Sequence, residues 1–337
     1  MYLFLNVLCL LLLGSSISAL PSQSLDDILL EKKADSTKVG YLAVYWKTSA
    51  TGIFFALSTN DSPLGFTELK GGKPVIIPKV GTKVVRDVSI VPGGGKDANV
   101  IWRIIGTDLD IGSTTWDRAK RTGSRSIMTW ESSDLVNWGS ERLVEVEDKT
   151  AGMVWAPDAI WDPSSSKYFV HWASAFYDKG DTGHTGTGTP LYIRSALTSD
   201  FKTYESPSTY INKSPSDTLD MSFLRVDNST LVRFLVGAGV KGPVAEVSRN
   251  GIAGPWTRPS GSISAQYEGP YPFWDNRVDG KAYLLCDLVG GAAGLRAWSS
   301  TDPLSGKFTS ASSAITYMRH GSVLPVTQAQ YNALKAL

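Results

Sequence analysis

The chain has 337 residues, 42% of them hydrophobic, and its 33 Lys and Arg against 32 Asp and Glu leave a formal charge of +1. That balance, with no Lys/Arg cluster and no acidic tail, excludes a basic stripe for nucleic acid and a charged solvating arm. Past the first residues no segment approaches the roughly 20 apolar residues that span a bilayer, so no membrane partner is expected either.

Residues 1–19, MYLFLNVLCLLLLGSSISA, join an apolar run to small residues ending in Ile17-Ser18-Ala19 and read as a signal peptide of a secreted protein. Its removal takes Cys9 with it and leaves Cys286 as the only cysteine, so no intrachain disulfide can form. Cys286 lies in the apolar run Ala282 to Asp287 and reads as a buried structural thiol. Asn60-Asp61-Ser62 and Asn228-Ser229-Thr230 are glycosylation sequons that suit a secreted glycoprotein. Residues 20–39 form a polar N-terminal segment.

From residue 40 onward, short apolar runs alternate with Gly, Pro, Asn and Asp clusters, and no long amphipathic helix is predicted. Strands are expected at Tyr41 to Trp46, Ile53 to Leu57, Val100 to Ile105, Tyr168 to Trp172, Leu231 to Val236 and Ala282 to Cys286. One phrase recurs: an apolar strand, a polar or Gly turn, then an aromatic opening another strand. Its five copies start at Ile53, Ser126, Leu191, Val244 and Leu295, separated by 73, 65, 53 and 51 residues. That spacing predicts an all-β fold, a five-bladed β-propeller over residues 40–325, and makes the phrase the outer strands of each blade. The inner strands are then Arg86 to Ile90, Trp155 to Ala159, Leu219 to Phe223 and Tyr267 to Tyr271. Met318 to Val323 returns as a C-terminal strand that joins the first blade and closes the ring, leaving 326–337 as a tail. A monomer is expected.

A single Asp before an apolar strand is usually a turn residue. Asp87, Asp220 and Glu268, at equivalent places on three inner strands, point instead to one central site. The pieces around them, RDVSI from Arg86, WAPDAIWD from Trp155, LDMSF from Leu219 and YEGPYPFW from Tyr267, resemble glycoside hydrolase family 43 in order and spacing over roughly residues 40 to 325. The resemblance implies a propeller that cleaves arabinosyl, xylosyl or galactosyl linkages with inversion. It makes Asp87 the general base, Glu268 the general acid and Asp220 the carboxylate that orients the acid and tunes its pKa. Inversion needs a carboxylate that activates water and a carboxylic acid on the opposite sugar face, and an anion such as Asp220 beside Glu268 would keep it protonated. The family commonly has Pro after both aspartates, where this chain has Val88 and Met221, a change in backbone stiffness rather than in proton chemistry.

Further substrate-binding candidates are Trp155 and Trp274 as sugar platforms or inter-blade packing, Asp158 as rival for the third carboxylate, Arg296 and His320. The resemblance puts His320 at the centre, contacting the site or holding an ion. One nitrogen does not define a metal site, so the metal is left unknown; no cofactor is required and a structural calcium is kept as a candidate. His171 reads as core or strand surface, and His184 lies in a Gly/Thr-rich loop, Lys179 to Pro190, that would border the cleft. The expected function is a glycosidase acting on a polysaccharide or oligosaccharide, arabinofuranosyl linkages first. The alternatives are a carbohydrate-binding or catalytically inactive propeller, and an adhesive protein, which explains the repeat but not the three acids.

Overall fold

The computed structural model describes residues 34–290 and 294–337, so the leader read at residues 1–19 lies outside the described residues. Among these residues nineteen strands form five antiparallel sheets. The first comprises β1 (Lys38–Trp46), β2 (Phe54–Thr59) and β3 (Ser62–Glu68). The second comprises β4 (Val85–Pro92), β5 (Trp102–Asp108), β6 (Ser126–Ser132) and β7 (Gly139–Glu145), with a helix α1 (Trp116–Thr122) in the connection from β5 to β6. The third is β8 (Trp155–Asp162), β9 (Lys167–Ser174), β10 (Tyr192–Thr198) and β11 (Ser208–Ile211). The fourth is β12 (Thr218–Arg225), β13 (Leu231–Gly237) and β14 (Pro243–Ser248); the fifth is β15 (Tyr267–Trp274), β16 (Ala282–Leu288), β17 (Leu295–Ser300) and β18 (Thr309–Ile315). Last comes β19 (Arg319–Thr327), which pairs with β1 as the inner strand of the first blade.

Neighbouring inner strands touch in the cycle β4, β8, β12, β15, β19 and back to β4. The ring is therefore closed by the two chain ends within one blade, as the Arg-His-Gly strand predicts, and the repeated phrase supplies the outer strands. Blade four is the exception, with three strands among the described residues; beyond β14 the chain returns only for a bridge between Val247 and Thr257.

Alternation along each strand sends apolar side chains to both faces, and each blade junction gains its own core. Leu42, Phe55, Ile104 and Trp130 fill the junction of blades one and two, and Ile105, Val170 and Trp172 that of two and three. Ile193, Met221 and Leu235 join three to four, Phe234, Leu284 and Cys286 four to five, and Tyr41, Phe273 and Leu285 five to one. Cys286 is a buried free thiol within this packing. The segment 326–337 carries a second helix, α2 (Gln328–Lys335), capped by a reciprocal Thr327–Gln330 box, and it lays Tyr331 and Leu334 on the core of blades one and two.

One irregularity recurs at the same height on every inner strand. The register slips between Arg86 and Ser89, Trp155 and Asp158, Leu219 and Ser222, and Glu268 and Tyr271. It slips again where β19 meets β1, between the partners of Arg319 and Ser322. In four of these bulges the second residue is left-handed: Asp87 (φ 47), Ala156 (φ 46), Asp220 (φ 51) and Gly269 (φ 56). Left-handed backbone costs an L-residue about 1–2 kcal/mol. A bulge re-aims side chains and recurs beside active sites. The next position is held by Val88, Pro157, Met221, Pro270 and Gly321. Val88 and Met221, the two departures from proline, are both buried in inter-blade cores, so apolar packing holds the bend that a ring would otherwise stiffen.

Candidate active site

The five bulges surround one mouth of the channel, where a cavity of about 370 Å³ is lined by residues of all five blades. Asp87 from blade two, Asp220 from blade four and Glu268 from blade five meet there with His320 from blade one and Trp155 from blade three. Glu268 does not stand at the position of the two aspartates. It precedes the left-handed residue of its bulge, where Gly269 sits instead. Gly269 is needed twice over: its φ is 56°, and a Cβ would come within 2.6 Å of the His320 ring. This explains the Glu-Gly-Pro sequence, since the glycine lets the histidine of the next blade stand against the acid's own backbone.

His320 Nδ1 lies 3.3 Å from Asp87 Oδ1. Burial alone would raise the Asp87 carboxyl, but the bond and charge of His320, the Arg86 guanidinium and the Thr107 hydroxyl reverse this and hold it below the usual carboxylate range. Burial works against the charge on His320, and Asp87, Asp220 and Asp287 overcome it, raising its pKa to about 9. Glu268 goes the other way. Burial, with the neighbouring charges of Asp220, Asp287 and Asp87, lifts it to about 7 against the opposing pull of His320. Asp220 is itself raised, by burial first and then by Asp87 and Asp287, although His320 and the Gly269 N–H oppose that rise. That N–H donates to Asp220 Oδ2 over 3.0 Å, which ties Asp220 to the residue beside Glu268.

Two residues that the sequence did not single out complete the cavity. Asp287 on β16 is the ladder partner of Glu268, and Arg319 donates Nε to both its oxygens at 2.9 and 2.7 Å. Both were in view, in an apolar strand run and in Arg-His-Gly, but their convergence depends on a strand register that one sequence does not print. Trp46 and Trp116 form a wall with Trp155: Trp116 and Trp155 meet edge to face at 5.9 Å, and the Arg86 guanidinium lies 4.0 Å over Trp46 and 5.3 Å from Trp116. Trp116 opens α1 and is 56% exposed at the mouth. The His184 loop buttresses it: Arg121 of α1 donates to the carbonyls of His184 and Gly186 at 2.9 and 2.8 Å, and His184 stacks on Tyr177.

Three of the sequence's substrate candidates stand elsewhere. Asp158 lies two residues beyond Ala156, a layer deeper in the channel, where Ser89 donates to it and burial pushes it up to about 6. The extra bulge residue is what displaces it, and Asp220 rather than Asp158 lines the cavity with Glu268. Trp274 ends β15 and lines a separate cavity at the far mouth, its Nε1 donating to the Arg225 carbonyl at 2.9 Å. Arg296 lies on the third strand of blade five, opposite Cys286, and is not among the residues lining the cavity. His171 is fully buried core beside Phe169 and Phe223. Among the described residues no group of three or more His, Cys, Asp or Glu side chains is arranged to hold a metal ion, and no step is routed through one.

A five-bladed propeller whose one mouth gathers carboxylates of opposed proton affinity is a domain of the glycosidase class. A family model described as a probable glycosyl hydrolase domain, related to glycosyl hydrolase 43, matches residues 36–332, and the chain belongs to that family. It is also 24% identical over 224 residues to an α-L-arabinofuranosidase of Bifidobacterium longum, an alignment covering 62% of this chain and 20% of that much longer protein. Among solved structures it is similar to the catalytic domain of a Coprinopsis cinerea α-L-arabinofuranosidase of family 62, with 14% identity, a TM-score of 0.48 and coverage of 74% of this chain and 75% of the other. It is similar too to an exo-β-1,3-galactanase of Phanerochaete chrysosporium, with 15% identity, a TM-score of 0.48 and coverage of 82% and 54%.

Proposed function

We propose that this protein hydrolyses a glycosidic bond with inversion, using Glu268 as general acid, Asp87 as general base and Asp220 to orient and tune the acid. The observation that carries the reading is the opposite tuning of two carboxylates in one cavity: Glu268 is held protonated up to about pH 7, while Asp87 stays ionised. In the reaction Glu268 gives its proton to the leaving-group oxygen as the glycosidic C–O bond breaks. A water on the opposite sugar face attacks the anomeric carbon and passes its proton to Asp87. His320, charged at neutral pH, keeps Asp87 ionised for that step. Trp116 and Trp155 offer apolar faces to a sugar ring.

Arabinofuranosyl linkages in a polysaccharide or oligosaccharide are the first choice of substrate, supported by the name of the Bifidobacterium relative; xylosyl and galactosyl linkages follow. The apolar run in residues 1–19 supports export to where such polymers are met. The test is turnover of aryl α-L-arabinofuranoside, β-xyloside and β-galactoside, with the first-formed anomer read by NMR. The inverted anomer is expected. The retained anomer would remove the single-displacement mechanism, and no turnover of any of the three with a polysaccharide still bound would replace the enzyme by a binding propeller.

A further inference from the structure

We infer that Asp287 is a positioning residue of this site: its single carboxylate clamps Arg319 and the backbone of His320 on the closing strand and sets a second negative charge opposite Glu268. The inference rests on the proposed acid role of Glu268. Asp287 is 1% exposed, and a carboxylate so deep must be paired. Arg319 pairs it through Nε to both oxygens. Oδ2 also accepts the His320 N–H at 3.2 Å.

That second bond carries the inference beyond an ordinary buried ion pair. The register of β19 against β1 slips at this point, between the partners of Arg319 and Ser322, so the backbone here lacks the regular ladder that would fix His320. The carboxylate supplies a fixed acceptor from blade five, and the His320 ring is then held against Gly269 on one side and Asp87 on the other. Closing the ring and aiming the histidine are the work of one side chain.

The location of Asp287 points the same way. It is the direct Cα partner of Glu268 across the β15–β16 ladder, and like charges directly opposite one another destabilise a sheet. Protonation of Glu268 relieves that repulsion, so the pairing favours the neutral acid. The charged groups facing Glu268 are Asp220 from β12, Asp87 and Arg86 from β4, Arg319 and His320 from β19, and Asp287 from β16. Asp287 acts in the same direction as Asp220, but from the adjacent strand of Glu268's own blade rather than from the neighbouring blade.

The experiment is a carbon-13 titration of labelled glutamate carboxyls in the full chain, with the Glu268 signal assigned by its loss in Glu268→Gln. In Asp287→Asn the Glu268 midpoint falls by about one pH unit, the size expected for removing a neighbouring charge. In the double variant Asp287→Asn/Arg319→Met, which removes the pair together and leaves no buried charge unpaired, it falls too, because the carboxylate and not the guanidinium stands directly opposite Glu268. The basic limb of kcat/KM moves with it in each variant. A merely structural role would lower Tm in both variants and leave both midpoints in place, and that result would overturn the inference. Should Asp287→Asn fail to fold, the double variant decides: an unmoved or raised midpoint overturns it. If the wild-type protein turns over no glycoside the proposed function fails, while the titration still decides the role of Asp287.

Discussion

The two mouths of the channel hold cavities of nearly equal size, about 370 Å³ where the five bulges meet and about 380 Å³ at the far end, and both are lined by aromatic side chains. Their electrostatics differ. At the far end Trp274 donates to the Arg225 carbonyl, Arg225 to the Trp161 carbonyl at 2.5 Å, and Asp275 accepts from the Arg277 N–H and the Tyr283 hydroxyl. These polar groups are spent on holding hairpins together. At the bulged mouth, Asp87, Asp220, Glu268 and Asp287 crowd around the cations Arg86, His320 and Arg319, and burial together with the neighbouring carboxylates lifts Glu268 to about 7. Cavity size and aromatic lining are common to both ends; what marks one is a set of carboxylates from different blades, two of them with proton affinities pushed in opposite directions.

The strongest way to break this contrast is to neutralise the base. Asp87→Asn should lower kcat by about 10²–10⁴-fold on any accepted glycoside, whereas Trp274→Ala at the far mouth should leave kcat and KM within about twofold. Equal losses in the two variants would mean that the mouths have been assigned wrongly.

A second effect appears in stability. Glu268 has a folded-state pKa near 7, above its ordinary value of 4.5, so its contribution is fully present below about pH 4.5 and is lost as pH rises through 7. Glu268→Gln removes that loss. Its Tm should therefore exceed that of the wild type at pH 8 and approach it at pH 5, as read by calorimetry. Identical Tm differences at the two pH values would contradict the raised pKa.

The smallest effect concerns the wall. Trp116→Ala should raise KM for an oligosaccharide by several-fold, the loss of about 1 kcal/mol of ring contact, and leave KM for a small aryl glycoside nearly unchanged. An equal rise for both would place Trp116 against the cleaved sugar rather than beyond it.

The propeller was legible because its signal is a repeat: five copies of one strand-turn-strand phrase, and the Arg-His-Gly strand that returns to blade one. Asp87, Asp220 and Glu268 were legible because each sits in a short inner strand with a recognisable neighbour. The bulge was not. Asp158 looked equivalent to the aspartates in its Trp-Ala-Pro-Asp run, but the extra residue turns Ala156 toward the mouth and sends Asp158 below it. Trp274 closes the same strand as Glu268, yet eight residues of β15 carry it to the far mouth. Asp287 and Arg319 were hidden for another reason, since they meet only through pairing between strands. Composition could not reveal which of the tryptophans face sugar, because Trp46, Trp116 and Trp155 share that wall only once blades one, two and three are side by side.

The most direct test of the account is the pH dependence of kcat/KM for the wild type and Glu268→Gln on one accepted aryl glycoside. The account predicts a wild-type profile whose rate falls as pH rises through about 7, where Glu268 loses its proton, and a Glu268→Gln variant slower by about 10²–10⁴-fold with that limb gone. A variant that keeps the wild-type rate and the wild-type limb would contradict it.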